Sequence, residues 1–337
     1  MAFPGKKSVI FFILGFFVAW LLLFIAGWAY FYFGFLQKID LGSKAILIEI
    51  QQGETLSDLA QKLWQEGIIK SQLLFKLAVR NDNFEKGLQI GLYTFSGKLN
   101  GFDVLKILKS QPDISITFPE GKTIEEVADI LDKNKIVARD DFLSAVNNFD
   151  ATEILGFQPA GGLEGYLFPD TYKFRTGQKP EAVIKTLLQN FKNKVLIGLK
   201  NKLLNAQYKL TDIIKLASII EKEVIGIEDK KIVSGILQQR LKNNYLLQAD
   251  STLNYILKTN RNSLNADELQ VDSPYNTYKY KGLPPTSISN PGLESILAAL
   301  EPIETDYYFY LTDKSGKAHF AKTYEEHQLN IKKYLRH

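Results

Sequence analysis

The sequence predicts an α+β protein behind a single N-terminal transmembrane helix. Three observations carry that expectation. Val9 to Leu36 is a run of 28 residues without a charge. A strand followed by two helices is written twice, 68 residues apart, before residue 150. Beyond it, helical periodicities alternate with loops rich in Gly, Pro and aromatics, and a short hairpin precedes the last helix. With 337 residues, 45% of them hydrophobic and 12% aromatic, the chain is long enough for two or three domains and too apolar for disorder.

Charge and side-chain inventory narrow the chemistry. Lys and Arg number 41 against 37 Asp and Glu, a dispersed excess that leaves no basic stripe for nucleic acid. There is no cysteine, so disulfides, thiolate catalysis and Cys-ligated metal are excluded. The three histidines, His319, His327 and His337, cluster at the C-terminus without a matching acidic group. Neither a His-based triad, a metal centre nor a cofactor site is expected.

The uncharged run exceeds the roughly 20 residues that cross a bilayer as a helix. A cleaved signal has an apolar core of about 7 to 15 residues and ends in small ones. Here the run ends in Trp28, Tyr30, Phe31, Tyr32 and Phe33, which suit an interfacial belt. Lys6 and Lys7 precede it, so the positive-inside bias puts residues 1–8 in the cytoplasm, 9–36 in the membrane and the rest outside. Removing the two tail lysines leaves +2 of the net charge of +4, with no evident tropism for anionic lipid.

In the first module, 45–110, Ala45 to Ile50 reads as a strand and Thr55 as the cap of a helix bearing Leu56, Leu59, Ala60 and Leu63. Ile48–Val79 aligns without gaps to Ile116–Asn147: Gly53 matches Gly121, Thr55 matches Thr123, Ala60 matches Ala128 and Leu63 matches Leu131. The second related module thus occupies 111–150. Gly91 to Leu108 joins the copies as strand, turn and helix.

From 151 to 337 the texture changes. Pro159–Phe174 reads as a hairpin or ordered loop, Pro180 to about Leu204 as one long helix, and Lys230–Asn243 as another. Leu247–Leu257 leads from a loop into a short helix. Ser273–Gly292 holds four prolines and two glycines, too long for an ordinary connection. Tyr307–Leu311 and Ala318–Ala321 flank the turn DKSGK, and a helix closes the chain.

Two carboxylates sit in the helix LASIIEKEV, Leu216 to Val224. At 100° per residue, Ile213, Ala217, Ile220 and Val224 centre the apolar face, Glu221 and Glu223 fall about 80° to either side, and Lys222 points away. Most glutamates are surface residues. A carboxyl on the border of a core can instead be desolvated enough to stay protonated as a general acid. Periodicity does not choose between the two.

This stretch, with EGYLFPDTY (Glu164–Tyr172), LQADSTLNY (Leu247–Tyr255), SPYNTYKYKGLPPTSISNPG (Ser273–Gly292) and AHFAKTYEEH (Ala318–His327), in that order, resembles the YceG-like endolytic murein transglycosylases, the MltG family. The resemblance implies LysM-like small α/β modules and a mixed α+β catalytic domain at 151–337. It also implies a membrane-anchored lytic transglycosylase that cuts MurNAc–GlcNAc bonds within peptidoglycan strands near their synthesis, limiting strand length, with cell-wall synthases (penicillin-binding proteins) as partners. It assigns the catalytic acid to the first glutamate of the EKE run, Glu221. One carboxyl can suffice, because the sugar's own 6-hydroxyl attacks C1 and no water has to be activated. A hydrolase needs a second carboxylate.

Other residues have two readings each. Gln248, Asp250 and Ser251 suit sugar hydroxyls, yet Asp, Ser and Thr also start helices. Tyr275, Asn276 and Tyr278 offer stacking faces and an amide for an acetamido group, or a packed loop stiffened by Pro284 and Pro285. Glu164 and Asp170 lie on a Gly-rich element, with Glu164 the candidate second carboxylate. His319 and Phe320 pack the final hairpin. The alternatives to a transglycosylase are a non-enzymatic peptidoglycan-binding scaffold and a true muramidase.

Overall fold

The computed structural model describes residues 6–42, 45–51, 53–81, 91–110, 112–259, 261, 264–313 and 315–335. Residues 1–5 of the expected tail, Gln52, Lys314 and His337 lie outside the described residues. The uncharged run becomes helix α1 (Lys6–Phe31), continued by a π-helical turn, Tyr32–Leu36. Within it Leu14–Leu36 is apolar enough to cross a membrane, with a mean hydropathy of 2.0, and its side chains from Leu14 to Trp28 are exposed. The chain divides into two compact units, Met1–Ser115 and Ile116–His337.

The first unit follows the sequence pattern closely. After β1 (Ile39–Asp40) and β2 (Ile46–Ile50) come α2 (Leu56–Gln65), α3 (Gln72–Asn81), β3 (Gly91–Phe95), β4 (Lys98–Leu99) and α4 (Gly101–Lys109). β2 and β3 pair antiparallel, from Ile46 opposite Phe95 to Ile50 opposite Gly91, and β1 pairs with β4. Thr55 starts α2 through a capping box: its hydroxyl accepts from Asp58 N–H at 3.2 Å while Asp58 accepts from Thr55 N–H at 2.9 Å. The helical period then buries Leu59, Ala60 and Leu63 against Ile48, Ile50, Phe75, Val79, Tyr93 and Phe95. Each fully buried Leu or Phe here contributes on the order of 2 kcal/mol. Phe35, from the turn after α1, belongs to this same core.

The second copy repeats the design. β5 (Ile114–Thr117) begins at the unit boundary, Thr123 caps α5 (Ile124–Lys133) through a capping box with Glu126, and Val127, Ala128 and Leu131 are buried. α6 (Arg139–Asn148) and α7 (Thr152–Leu155) follow, and β6 (Thr171–Phe174) pairs with β5. Phe118 N–H donates to Asp170 O at 3.0 Å, tying the second copy to sequence beyond residue 150.

The remainder is α8 (Pro180–Phe191), a π-helical stretch Lys192–Ile197, α9 (Lys200–Leu204), α10 (Leu210–Glu223), α11 (Ile227–Lys242) and α12 (Asp250–Leu257). Then come a 3₁₀ turn Glu268–Gln270, α13 (Leu293–Leu300), the antiparallel hairpin β7 (Phe309–Thr312) and β8 (Ala318–Ala321), and α14 (Tyr324–Tyr334). The single helix expected over Pro180–Leu204 is interrupted. The chain under-winds into a wider π-helical stretch from Lys192, and Leu199 leaves helical geometry at ψ 16°, although the apolar residues Val195 and Leu199 continue the buried stripe. α10 lies against α11 and α13, and from Ile213 to Ile220 every residue but Lys215 is buried. Ser218 draws the proline-rich segment onto it: Ile288 N–H donates to Ser218 Oγ at 3.0 Å, and Ser289 Oγ to Ser218 O at 3.2 Å.

Candidate functional site

The last turn of α10 presents Glu221 and Glu223 to different surroundings. The helix ends at Glu223, because Val224 is extended at φ −145° and ψ 158°. Glu221 turns towards α11 and α13. Its Oε1 accepts from Lys230 Nζ at 3.2 Å; its Oε2 accepts from Gly292 N–H at 2.9 Å and Ser295 Oγ at 2.7 Å. Gly292 is the N-cap of α13, so Glu221 caps that helix in trans, where the unpaired N–H groups and the helix dipole favour a carboxylate.

Glu223 is only partly buried and faces the start of α12. Ser251 Oγ donates to its Oε1 at 2.6 Å. Desolvation pushes the Glu223 carboxyl above the usual range, opposed by the Ser251 hydrogen bond and reinforced by the nearby Asp250 charge. Asp250 is itself raised by burial, although Tyr278 OH donates to its Oδ1 at 2.5 Å. The Tyr310 hydroxyl on β7 is buried beside Glu223 without good hydrogen-bond geometry to any described partner. Thr312 Oγ1 donates to Glu223 O at 2.9 Å, so β7 also fixes the helix end. Two acidic groups with raised proton affinity, one hydroxyl donor and two tyrosines thus converge at the end of α10.

Thr277 assembles this cluster. Ala249 N–H donates to its Oγ1 at 3.0 Å, Gln248 N–H to its carbonyl at 3.1 Å, and its hydroxyl meets Thr252 Oγ1 at 3.0 Å. The SPYNTY and LQADST segments are therefore stitched together. Asp250 and Ser251 are not used as caps: the N-cap of α12 is Ala249, which makes no side-chain cap bond. Gln248 sits at φ 53° with its side chain exposed beside the cluster.

Three expected site residues are placed elsewhere. Asn276 is fully buried; its amide donates to Leu269 O and Val271 O at 3.0 and 2.8 Å, and its Oδ1 accepts from Tyr278 N–H at 3.0 Å. It holds its own loop and has no free polar atom for an acetamido group. Glu164 is 7% exposed and accepts from Ile124 N–H at 3.1 Å, Asn290 Nδ2 at 3.2 Å and Tyr255 OH at 3.3 Å. Burial pushes it up to about 8, against those donors. It anchors the start of α5 and does not stand with Glu223 as a second carboxylate. Tyr275 gives its hydroxyl to Thr286 at 2.7 Å and packs its ring 5.5 Å from Tyr255, bracing the proline-rich segment. Asp170 pairs with Asn190 at 3.0 Å, and His319 with Asp313 at 2.8 Å. A shallow hollow lined by Glu153, Tyr172, Lys185 and Asn190 shares no residue with the glutamate cluster.

Sequence reasoning missed Lys230, Asn290 and Glu120. Asn290 ties three segments: its Oδ1 accepts from Gly165 and Leu167 N–H at 3.0 and 2.9 Å, and its Nδ2 donates to Lys122 O at 2.9 Å as well as to Glu164. Glu120 lies over Gly292, where a Cβ would fall 1.9 Å from its carboxylate, and burial with the Glu221 charge raises its pKa. The usable signal was the repeat itself, which places Glu120 and Gly121 in the turn before a capped helix.

These features gather buried carboxyls of raised proton affinity on an α+β scaffold with an apolar N-terminal helix. The chain belongs to the YceG-like family, whose model matches residues 48–333. It is 28% identical to an endolytic murein transglycosylase of Bacillus subtilis (strain 168) over 89% of this chain and 88% of that one. It is 27% identical to an endolytic murein transglycosylase of Streptococcus pneumoniae serotype 2, over 90% of this chain and 62% of that protein. A crystal structure of a YceG-like protein from Listeria monocytogenes matches with a TM-score of 0.58 at 28% identity, covering 86% of this chain and 99% of that one.

Proposed function

We propose that this chain is an endolytic lytic transglycosylase of peptidoglycan, and that Glu223, not the Glu221 implied by resemblance, transfers the proton. The observation that carries the assignment is the contrast between the two carboxyls. Glu221 is filled by an ammonium, an N–H and a hydroxyl. Glu223 accepts from one hydroxyl, that of Ser251, and its proton affinity is raised by burial and by Asp250. The relatives' shared name supplies the reaction class.

In this reading protonated Glu223 donates to the oxygen linking MurNAc C1 to GlcNAc, and the C1–O bond breaks. The MurNAc 6-hydroxyl then attacks C1, and its proton returns to the Glu223 carboxylate, leaving a 1,6-anhydro end. Asp250, held by Tyr278, and the exposed Gln248 contact the sugar. α1 anchors the enzyme as a single pass with its N-terminus in the cytoplasm, which keeps the site close to nascent strands and to the synthases that make them.

The test compares wild type, Glu223→Gln and Glu221→Gln on purified peptidoglycan by mass spectrometry. Anhydro-ended fragments from wild type, with the rate reduced about 10²- to 10⁴-fold in folded Glu223→Gln, are expected. Reducing ends from wild type would show a hydrolase. Wild-type rates from Glu223→Gln would return the role to Glu221.

A further inference from the structure

We propose that α3 and the start of α4 lie in the outer headgroup layer of the membrane, so that the first unit rests on the lipid surface instead of standing clear of it. The inference rests on the reading of α1 as a membrane span.

Position is the first argument. A hydrocarbon core of about 20 helical residues, counted from Val9, ends at Trp28. At 1.5 Å per residue Tyr30 lies about 3 Å farther out, inside a headgroup layer about 5–8 Å deep. The Tyr30 hydroxyl is 3.1 Å from Ser71 Oγ, immediately before α3. Leu74 packs so closely on Gly34 that a Cβ there would be 2.6 Å from its Cδ1, and Phe102 meets Phe35 edge-on at 5.0 Å. With Phe35 buried in the unit's core, the unit is docked onto the end of the helix at this level.

The second argument is the face presented there. Phe75 and Val79 enter the core, fully buried. Leu73 and Leu77, one turn apart and about 160° around α3 from that pair, are 56% and 53% exposed, and Phe102 is 56% exposed. From Gly67 to Asn81 no acidic residue occurs, while Lys70, Lys76 and Arg80 do. Lys70 donates to Gln37, just past the apolar run, and Lys38 beside it is exposed. Apolar side chains flanked by cations, continuous with a span, match the acyl–headgroup boundary of an anionic bilayer. The near-neutral balance of the whole exported chain conceals this local asymmetry.

The cysteine-free sequence permits a direct test. Single nitroxide labels are placed at Leu73→Cys, Leu77→Cys and Phe102→Cys in the full chain, with Leu22→Cys inside the span and Gln61→Cys on the exposed side of α2 as references. The protein is reconstituted in phosphatidylethanolamine–phosphatidylglycerol vesicles, and collision with oxygen and with an aqueous nickel chelate is measured. Labels 73, 77 and 102 should favour oxygen over the nickel chelate, whereas label 61 should favour the chelate. If 22 is lipid-embedded while 73 and 77 behave like 61, the inference fails and the anchor stands. If 22 also behaves like 61, the anchor reading itself fails and takes the inference with it. Spin–spin broadening at 73 and 77 without oxygen preference would mean that a second copy covers the face, which also overturns the inference.

Discussion

Lys230 Nζ stands 3.2 Å from Glu221 Oε1, and the two side chains are 4% and 8% exposed. Removing either partner leaves a buried charge poorly compensated, since the other carboxylate near Lys230, Glu294, is 3.9 Å away and half-exposed. Glu221→Gln and Lys230→Met are each expected to destabilise the full chain in detergent by about 3–5 kcal/mol. The double variant should recover part of that loss, as read by denaturant titration. An inactive Glu221→Gln protein of wild-type stability would instead mean that Glu221 acts in the chemistry.

Ser251→Ala removes the hydroxyl that opposes the rise in Glu223 proton affinity. If Glu223 must be protonated to act, activity falls as pH rises through its pKa. Loss of the Ser251 bond should therefore move the basic limb of the kcat/KM profile to higher pH. An unmoved limb, or a shift to lower pH, would argue against Glu223 as the titrating acid.

Glu164 gives a stability signature separate from activity. Its carboxyl is raised from 4.5 to about 8 by burial, so the folded protein holds a proton that the unfolded chain releases. The unfolded state then binds fewer protons between these values, and stability falls as pH rises. The wild-type Tm should drop from about pH 4.5 to about pH 8 more steeply than that of Glu164→Gln. Parallel curves would show that its donors outweigh desolvation.

Asn290→Ala leaves the N–H groups of Gly165 and Leu167 without their acceptor in a buried setting and takes from the Lys122 carbonyl one of its two donors, the other being the Asn290 N–H. At about 1–3 kcal/mol per abandoned buried group, it should cost about 3 kcal/mol or more, measurable by thermal melting. Asn290→Asp should also be destabilising, because a carboxylate cannot donate to the Lys122 carbonyl and Glu164 as the amide does.

The fold was most legible where the determinants are local. The capping boxes at Thr55 and Thr123, the buried triplets that follow them and the final hairpin all depend on residues within a turn or two of each other. The glutamate pair shows the opposite case. Glu221 is defined by Lys230, Gly292 and Ser295, and Glu223 by Ser251 and Tyr310, partners 9 to 87 positions away that helical geometry does not encode. Asn276 illustrates the same limit: an amide among tyrosines looks like a sugar contact until its loop closes on it. The long helix expected at Pro180–Leu204 failed because a continuous apolar stripe survives a π-helical stretch, so pattern alone does not register the break.

The repeated turn has diverged in what it must satisfy. Gly53 and Gly121 occupy equivalent positions with φ +87° and +74°, conformations that few side chains adopt. A Cβ at Gly53 would meet nothing within 4 Å, whereas one at Gly121 would lie 3.3 Å from Glu221 Cγ and 3.4 Å from Lys222 Cδ. Asparagine, which tolerates the left-handed region, is thus admissible at the first turn and crowded at the second. The two turns of the repeat are therefore not interchangeable: the first is open to replacement, and the second is fitted to the helix that ends in Glu221, Lys222 and Glu223.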